Sequence, residues 1–209
     1  MPIDIPDLIG AVTRHITTRE YRGKPARVLV ATRDYDTTID DLWDAIKTPE
    51  RLARWFAPVS GDLRLGGRYQ LEGNAGGDIA ACEPPNHLAL TWEFGGEVSW
   101  VEVRLEEAGE GTALTLEHIA DVPEAFWTEY GPGATGVGWE LGFLGLKQHI
   151  DKDPGAIGPD QAEAWAASPE GKAFAGACSD AWGEAAIAAG ADPDAARAAA
   201  KRTTSFYAG

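Results

Sequence analysis

The stretch His87-Leu-Ala-Leu-Thr-Trp-Glu-Phe94, Gly95-Gly96, Glu97-Val-Ser-Trp-Val-Glu-Val-Arg-Leu105 decides the fold, together with Gly111-Thr-Ala-Leu-Thr-Leu-Glu-His118 after it. Apolar and polar side chains alternate along it with period two, the repeat of a strand with one face buried. Leu88, Leu90, Trp92 and Phe94 fall on one face, continued by Val101, Val103 and Leu105, then by Leu114, Leu116 and His118. Thr91, Glu93, Glu102, Arg104, Thr115 and Glu117 fall on the other. Glycines stand at the breaks, where tight hairpins need positive φ. The pattern predicts an antiparallel meander with one dry and one wet face.

Upstream, the same punctuation continues. Gly66-Gly67, Gly73-Asn74-Ala75-Gly76 and Pro84-Pro85-Asn86 separate strands expected near 60–64, 67–73 and 77–83. Earlier still, Arg27–Tyr35 reads as a strand and Thr13–Tyr21 as a further candidate strand, with a turn at Arg22-Gly23-Lys24-Pro25 between them. Asp36-Thr37-Thr38 offers an N-cap to a helix carrying Ile39, Leu42, Trp43 and Ile46 at helical spacing. Pro49 starts a second short helix with Leu52, Trp55 and Phe56 on one side, and Pro58 ends it.

Downstream, Pro123–Gly133 reads as an aromatic loop with Phe126, Trp127 and Tyr130. Thr135–Ile150 then reads as a helix with Trp139, Phe143, Leu146 and Ile150 in one stripe. Gly136, Gly138, Gly142 and Gly145 interrupt it, each costing about 1 kcal/mol against Ala. A helix carries that cost where something must approach its backbone, and the apolar sheet face is the expected neighbour. Beyond Asp151 a Gly/Pro/Asp-rich linker over 152–160 leads to two helices, started by Ser168-Pro169 and Asp192-Pro193. Three units follow: an N-terminal extension over 1–25, a main domain over 26–151 and a helical C-terminal extension over 152–209. The terminal helices are expected either to cap the sheet or to form a homodimer.

Several ordered blocks carry a family resemblance. They are Trp43, Leu52-Ala-Arg-Trp55-Phe56-Ala-Pro58, Gly61-Asp-Leu-Arg-Leu-Gly66-Gly67, Cys82-Glu-Pro84-Pro85, Leu90-Thr-Trp92-Glu93, Gly111-Thr-Ala-Leu-Thr-Leu-Glu117-His118 and Gly138-Trp139. The series resembles the family of homologues of the activator of the heat-shock-protein-90 ATPase, within the START-like SRPBCC superfamily, over about residues 26–150. The resemblance implies an α+β helix-grip fold. Seven antiparallel strands curve around a long C-terminal helix, with a cavity between them and extra helices following. The superfamily includes lipid carriers, hormone receptors, polyketide cyclases and co-chaperone domains, so the fold leaves the activity open.

Composition narrows the partners. The formal net charge of −15 would repel a phosphate backbone or an anionic membrane surface, so neither nucleic acid nor membrane is expected. Two cysteines, Cys82 and Cys178, build no disulfide framework. The four histidines at 15, 87, 118 and 149 lack metal-ligand spacing, so no metal and no cofactor is expected. Met1–Gly10 has no basic start before an apolar run, and no stretch approaches eighteen apolar residues. A soluble cytoplasmic protein is the expectation.

Eight tryptophans suggest a walled interior. Trp55 and Phe56 are read at a pocket mouth, or else as the closure of a core corner. Tyr69, Leu90, Trp92, Phe94, Val103 and Leu116 are candidate ligand-facing residues of the sheet, with Trp139 and Phe143 from the helix. Trp127 and Tyr130 read as a lid over the pocket or as an anchored connection. His118 is either a ligand anchor or general base, with Glu140 as a candidate companion, or a core histidine. Gly61–Gly67 lacks a phosphate-cradling pattern and reads as a structural turn. The leading function is a START-like binding module for a small apolar or amphipathic molecule, without turnover. The alternatives are a cyclase-, dehydratase- or hydrolase-type enzyme using His118 and a co-chaperone-like protein binder.

Overall fold

The computed structural model describes residues 3–209, so the first two positions of the amino-terminal stretch read above lie outside the described residues. A short helix α1 (Ile5–Gly10) precedes strands β1 (Val12–Tyr21) and β2 (Lys24–Tyr35). The turn between these strands has only two residues, and both Arg22 and Gly23 take positive φ. That geometry matches the right-handed twist of the flanking strands, so the pairing runs without a break from Val12 opposite Arg33 to Tyr21 opposite Lys24. The expected N-terminal extension thus supplies an edge strand. The sheet has eight strands where seven were implied.

Helices α2 (Ile39–Lys47) and α3 (Pro49–Trp55) follow. Thr38 caps α2 by accepting the Asp41 backbone N–H, as its position before Ile39 predicts. The meander then runs through β3 (Val59–Gly61), β4 (Arg68–Leu71), β5 (Gly76–Glu83), β6 (His87–Phe94), β7 (Glu97–Ala108) and β8 (Gly111–Ala120). All ladders are antiparallel, in the order β1-β2-β8-β7-β6-β5-β4-β3.

The aromatic stretch after β8 corrects the expectation of a loop. Glu124–Tyr130 forms a helix, α4, with Glu124 in its first turn, where a carboxylate suits the positive helix end. Gripped by the sheet is α5 (Gly133–Ile150), followed by α6 (Ala162–Ala166), α7 (Pro169–Ala188) and α8 (Pro193–Ala208). Ser168 and Asp192 cap the last two through the N–H groups of Gly171 and Ala195, each with proline at the first helical position.

The molecule therefore has three layers: the sheet, α5, and the α7–α8 pair behind it. α5 is buried on both sides, because Phe143 and Leu146 meet the sheet core while Val137 and Leu144 join Phe174, Ala175 and Cys178 in a second cluster. Two of the α5 glycines answer neighbouring helices, not the sheet. A Cβ on Gly136 would lie 2.3 Å from the Trp182 ring, and one on Gly145 would lie 2.5 Å from the Trp55 carbonyl oxygen. Helices α7 and α3, not the sheet, make the close approaches. Trp182 and Phe174 are both buried, so α7 commits its two aromatic residues to the interior of its own chain.

Candidate functional site

Trp139 organises the space between sheet and α5. Its ring lies 4.8 Å from that of Trp92 and stacks at 12° on Phe56, 6.5 Å away. Phe56 leans in turn on Trp55 at 5.3 Å. These rings bound one side of a cavity of about 140 Å³. Its walls come from four sources: the ends of α2 and α3, the inward faces of β3 to β8, and the α5 stripe. Of the residues singled out in sequence, Trp55, Phe56, Tyr69, Leu90, Trp92, Val103, Leu116, Trp139 and Phe143 line it.

Three polar edges of this wall are bonded to protein partners. Trp55 Nε1–H donates to the Ala45 carbonyl at 3.0 Å, and Tyr69 donates its hydroxyl to the Thr91 carbonyl at 2.8 Å. Trp139 Nε1–H donates to His118 Nδ1 at 3.1 Å. Burial pushes the Tyr69 hydroxyl well above the ordinary tyrosine range, so it stays protonated.

His118 occupies a different place from the one its alternation suggests. It faces inward, but it sits behind Trp139 and does not line the cavity. Because Nδ1 accepts a hydrogen bond, the neutral ring carries its proton on Nε2. Burial lowers its pKa to about 4. The ring is thus a neutral acceptor that orients Trp139.

Glu140 is no companion to it. One residue along a helix turns the side chain by about a quarter of the circumference, and Glu140 points to the back of α5. There Arg14 grips it through two bonds, Nε to Oε1 at 2.7 Å and Nη2 to Oε2 at 2.6 Å. Arg14 also donates to the carbonyls of Ile9 and Val12, and Cys178 donates its thiol to Glu140 Oε2 at 3.3 Å. Burial first, then the Glu140 charge, pushes the Cys178 thiol far up, so it stays a thiol. This cluster ties α1, β1, α5 and α7 together.

Three other sequence candidates lie outside the cavity. Phe94 is 60% exposed at the β6–β7 tip, beyond the part of the sheet that α5 covers. Trp127 packs under the Arg27 guanidinium, 4.4 Å from its ring centroid. Tyr130 stacks between Phe126 and Phe206, and its carbonyl accepts from Thr203. Arg202 holds the Thr128 and Glu129 carbonyls, so α8 clamps α4 as an anchored connection on its own surface.

The cavity also takes residues that sequence reasoning did not single out. Ile46 and Leu52 come from α2 and α3; Leu88, Val101, Leu114 and Leu146 lay on the expected inward stripes. Ile79 and Cys82 are different. They are three residues apart on β5, so strict alternation puts them on opposite faces, yet both line the cavity. The register shifts between Ile79 and Ala81, and this β-bulge swaps the faces. Among the described residues no group of three or more His, Cys, Asp or Glu side chains converges as a metal site would need. No helix among them is long and apolar enough to cross a membrane.

A curved antiparallel sheet gripping a long helix over an interior cavity is the START-like, SRPBCC class of α+β protein. The pattern described as "Activator of Hsp90 ATPase homolog 1-like protein" matches residues 36–151, more than half of the chain. The chain belongs to that family. The crystal structure of CalU16 from Micromonospora echinospora is similar at 36% identity and TM-score 0.69, covering 84% of this chain and 98% of that one. The solution structure of CalU16 is similar at 36% identity and TM-score 0.72, covering 85% and 96%. Protein MLL2253 from Mesorhizobium loti shares the fold at 23% identity and TM-score 0.54, over 61% of this chain and 98% of that one. A comparison with curated protein sequences finds no match. The family and its fold point to a ligand-binding or chaperone-activator module.

Proposed function

We propose that this chain is a binding module that holds a small apolar or amphipathic molecule between the sheet and α5, without chemical turnover. The observation that carries the reading is the cavity itself. Proteins fill their interiors to crystal-like density, so an unfilled space of about 140 Å³ behind aromatic walls is a departure that calls for an occupant. An engineered apolar cavity of about 150 Å³ stays dry and takes up benzene. A reaction would need polar groups near the reacting atoms, and the hydroxyl and two of the indole N–H groups of this wall are bonded elsewhere. We place the module in the cytoplasm, acting without nucleic acid or membrane. Homodimerisation, the other role expected of the terminal helices, retains the exposed Phe126 and Phe206 as a surface. A thermal-shift screen with apolar metabolites, backed by native mass spectrometry, tests the binding reading. At least one stoichiometric adduct with a raised Tm is expected, and a screen in which no compound binds would overturn it.

A further inference from the structure

The wall chemistry narrows the occupant beyond "apolar or amphipathic". The volume of about 140 Å³ matches a single ring and falls well short of the roughly 300 Å³ at which drug-sized pockets begin. Trp55, Tyr69 and Trp139 have each committed their donor to a protein partner. Those donors are therefore unavailable to a ligand, and the indoles of the wall accept nothing. A ligand donor placed against the carbon-lined wall would lose its water partners without replacement, at a cost of about 1–3 kcal/mol. The Trp92 indole makes no hydrogen bond among the described residues, so its N–H and the Lys47 ammonium are the strong donors of the lining left for a ligand acceptor. A carboxylate inside the cavity would be a buried charge, and the one charged residue of the lining is Lys47.

We infer that the cavity takes a neutral, compact aromatic molecule of about one ring, with no hydrogen-bond donor. This rests on the binding reading above. It also gives Cys82 a use as a reporter. Cys82 is half-buried in the cavity wall, whereas Cys178 is fully buried and held as a thiol. An occupant should therefore shield Cys82 from a thiol reagent.

The test uses the full chain with toluene, anisole, phenol, benzoate and decanoate. It reads Tm together with the rate of Cys82 alkylation by N-ethylmaleimide, followed by peptide mass spectrometry. Toluene and anisole are expected to raise Tm by a few degrees and to slow alkylation several-fold, while the other three do neither. Gly142→Ala supplies the control. Its added Cβ makes ordinary contact with Phe56, 3.5 Å away, and occupies part of the cavity, so it should keep the fold and weaken the toluene response. Decanoate or benzoate acting as strongly as toluene overturns the neutral-ring inference but leaves the binding reading standing. A benzoate effect abolished by Lys47→Met would reassign the ligand to the carboxylates. If none of the five shifts Tm or protects Cys82, the neutral-ring inference falls, and the wider metabolite screen decides the binding reading.

Discussion

The two faces of α5 are packed to opposite limits. On the front, Trp139, Gly142, Phe143 and Leu146 look into a cavity. On the back, Gly136 lies so close to Trp182 that no side chain fits, and the Arg14–Glu140–Cys178 cluster leaves no exposed polar atom to speak of. One helix thus separates a region built to admit something from a region built to exclude everything. The contrast teaches where stability resides: the back layer holds the grip rigid, and the front is free to be loosely filled.

Breaking the back should have the largest effect. Glu140→Ala leaves the Arg14 guanidinium buried without its anion, and a loss of about 3–5 kcal/mol in urea unfolding is expected. A loss under about 1 kcal/mol would mean that the back layer is not what holds α5.

His118 anchors the front face through Trp139, and its effect should appear as pH dependence. Its folded pKa of about 4 lies below the ordinary 6.5, so the unfolded chain takes up the proton first. The stabilising contribution is intact above pH 6.5, falls as the pH drops from 6.5 towards 4, and amounts to about 3 kcal/mol over that window. His118→Gln should flatten this part of the curve of unfolding free energy against pH, compared with the unmodified chain. Superimposable curves would remove His118 from the account.

The smallest effects sharpen the contrast most directly. Gly136→Ala drives a methyl group into the Trp182 ring and should cost about 1–3 kcal/mol. Gly142→Ala, on the opposite face of the same helix, should be neutral or stabilising by up to about 1 kcal/mol through helix propensity. Equal effects at the two glycines, measured by denaturant midpoint, would erase the distinction between the faces.

Much of this arrangement was legible in the chain. Alternation placed Leu90, Trp92, Val103 and Leu116 on the cavity side, and the 3.6 period placed Trp139 and Phe143 there too. Caps and prolines located α2, α3, α7 and α8. The failures have physical causes. Phe94 has the right parity but lies beyond the reach of α5. β3 and β4, with three and four residues, are too short for a period to be read, which hid Val59 and Leu71. Gly136 and Gly145 of α5 signalled close approach correctly and were assigned the wrong neighbour, whereas Gly142 faces the cavity.

The sequence by itself determined most element types and the dry face of the meander, because these depend on local periodicity and on residue chemistry. Tertiary structure alone decided that Glu140 turns from the cavity to Arg14, that a bulge brings Ile79 and Cys82 to the same wall, and that α7 fills the groove at Gly136. Each of these depends on which surface meets which across long sequence separations. Helical and strand periods say which side chains share a face, but not what that face will meet.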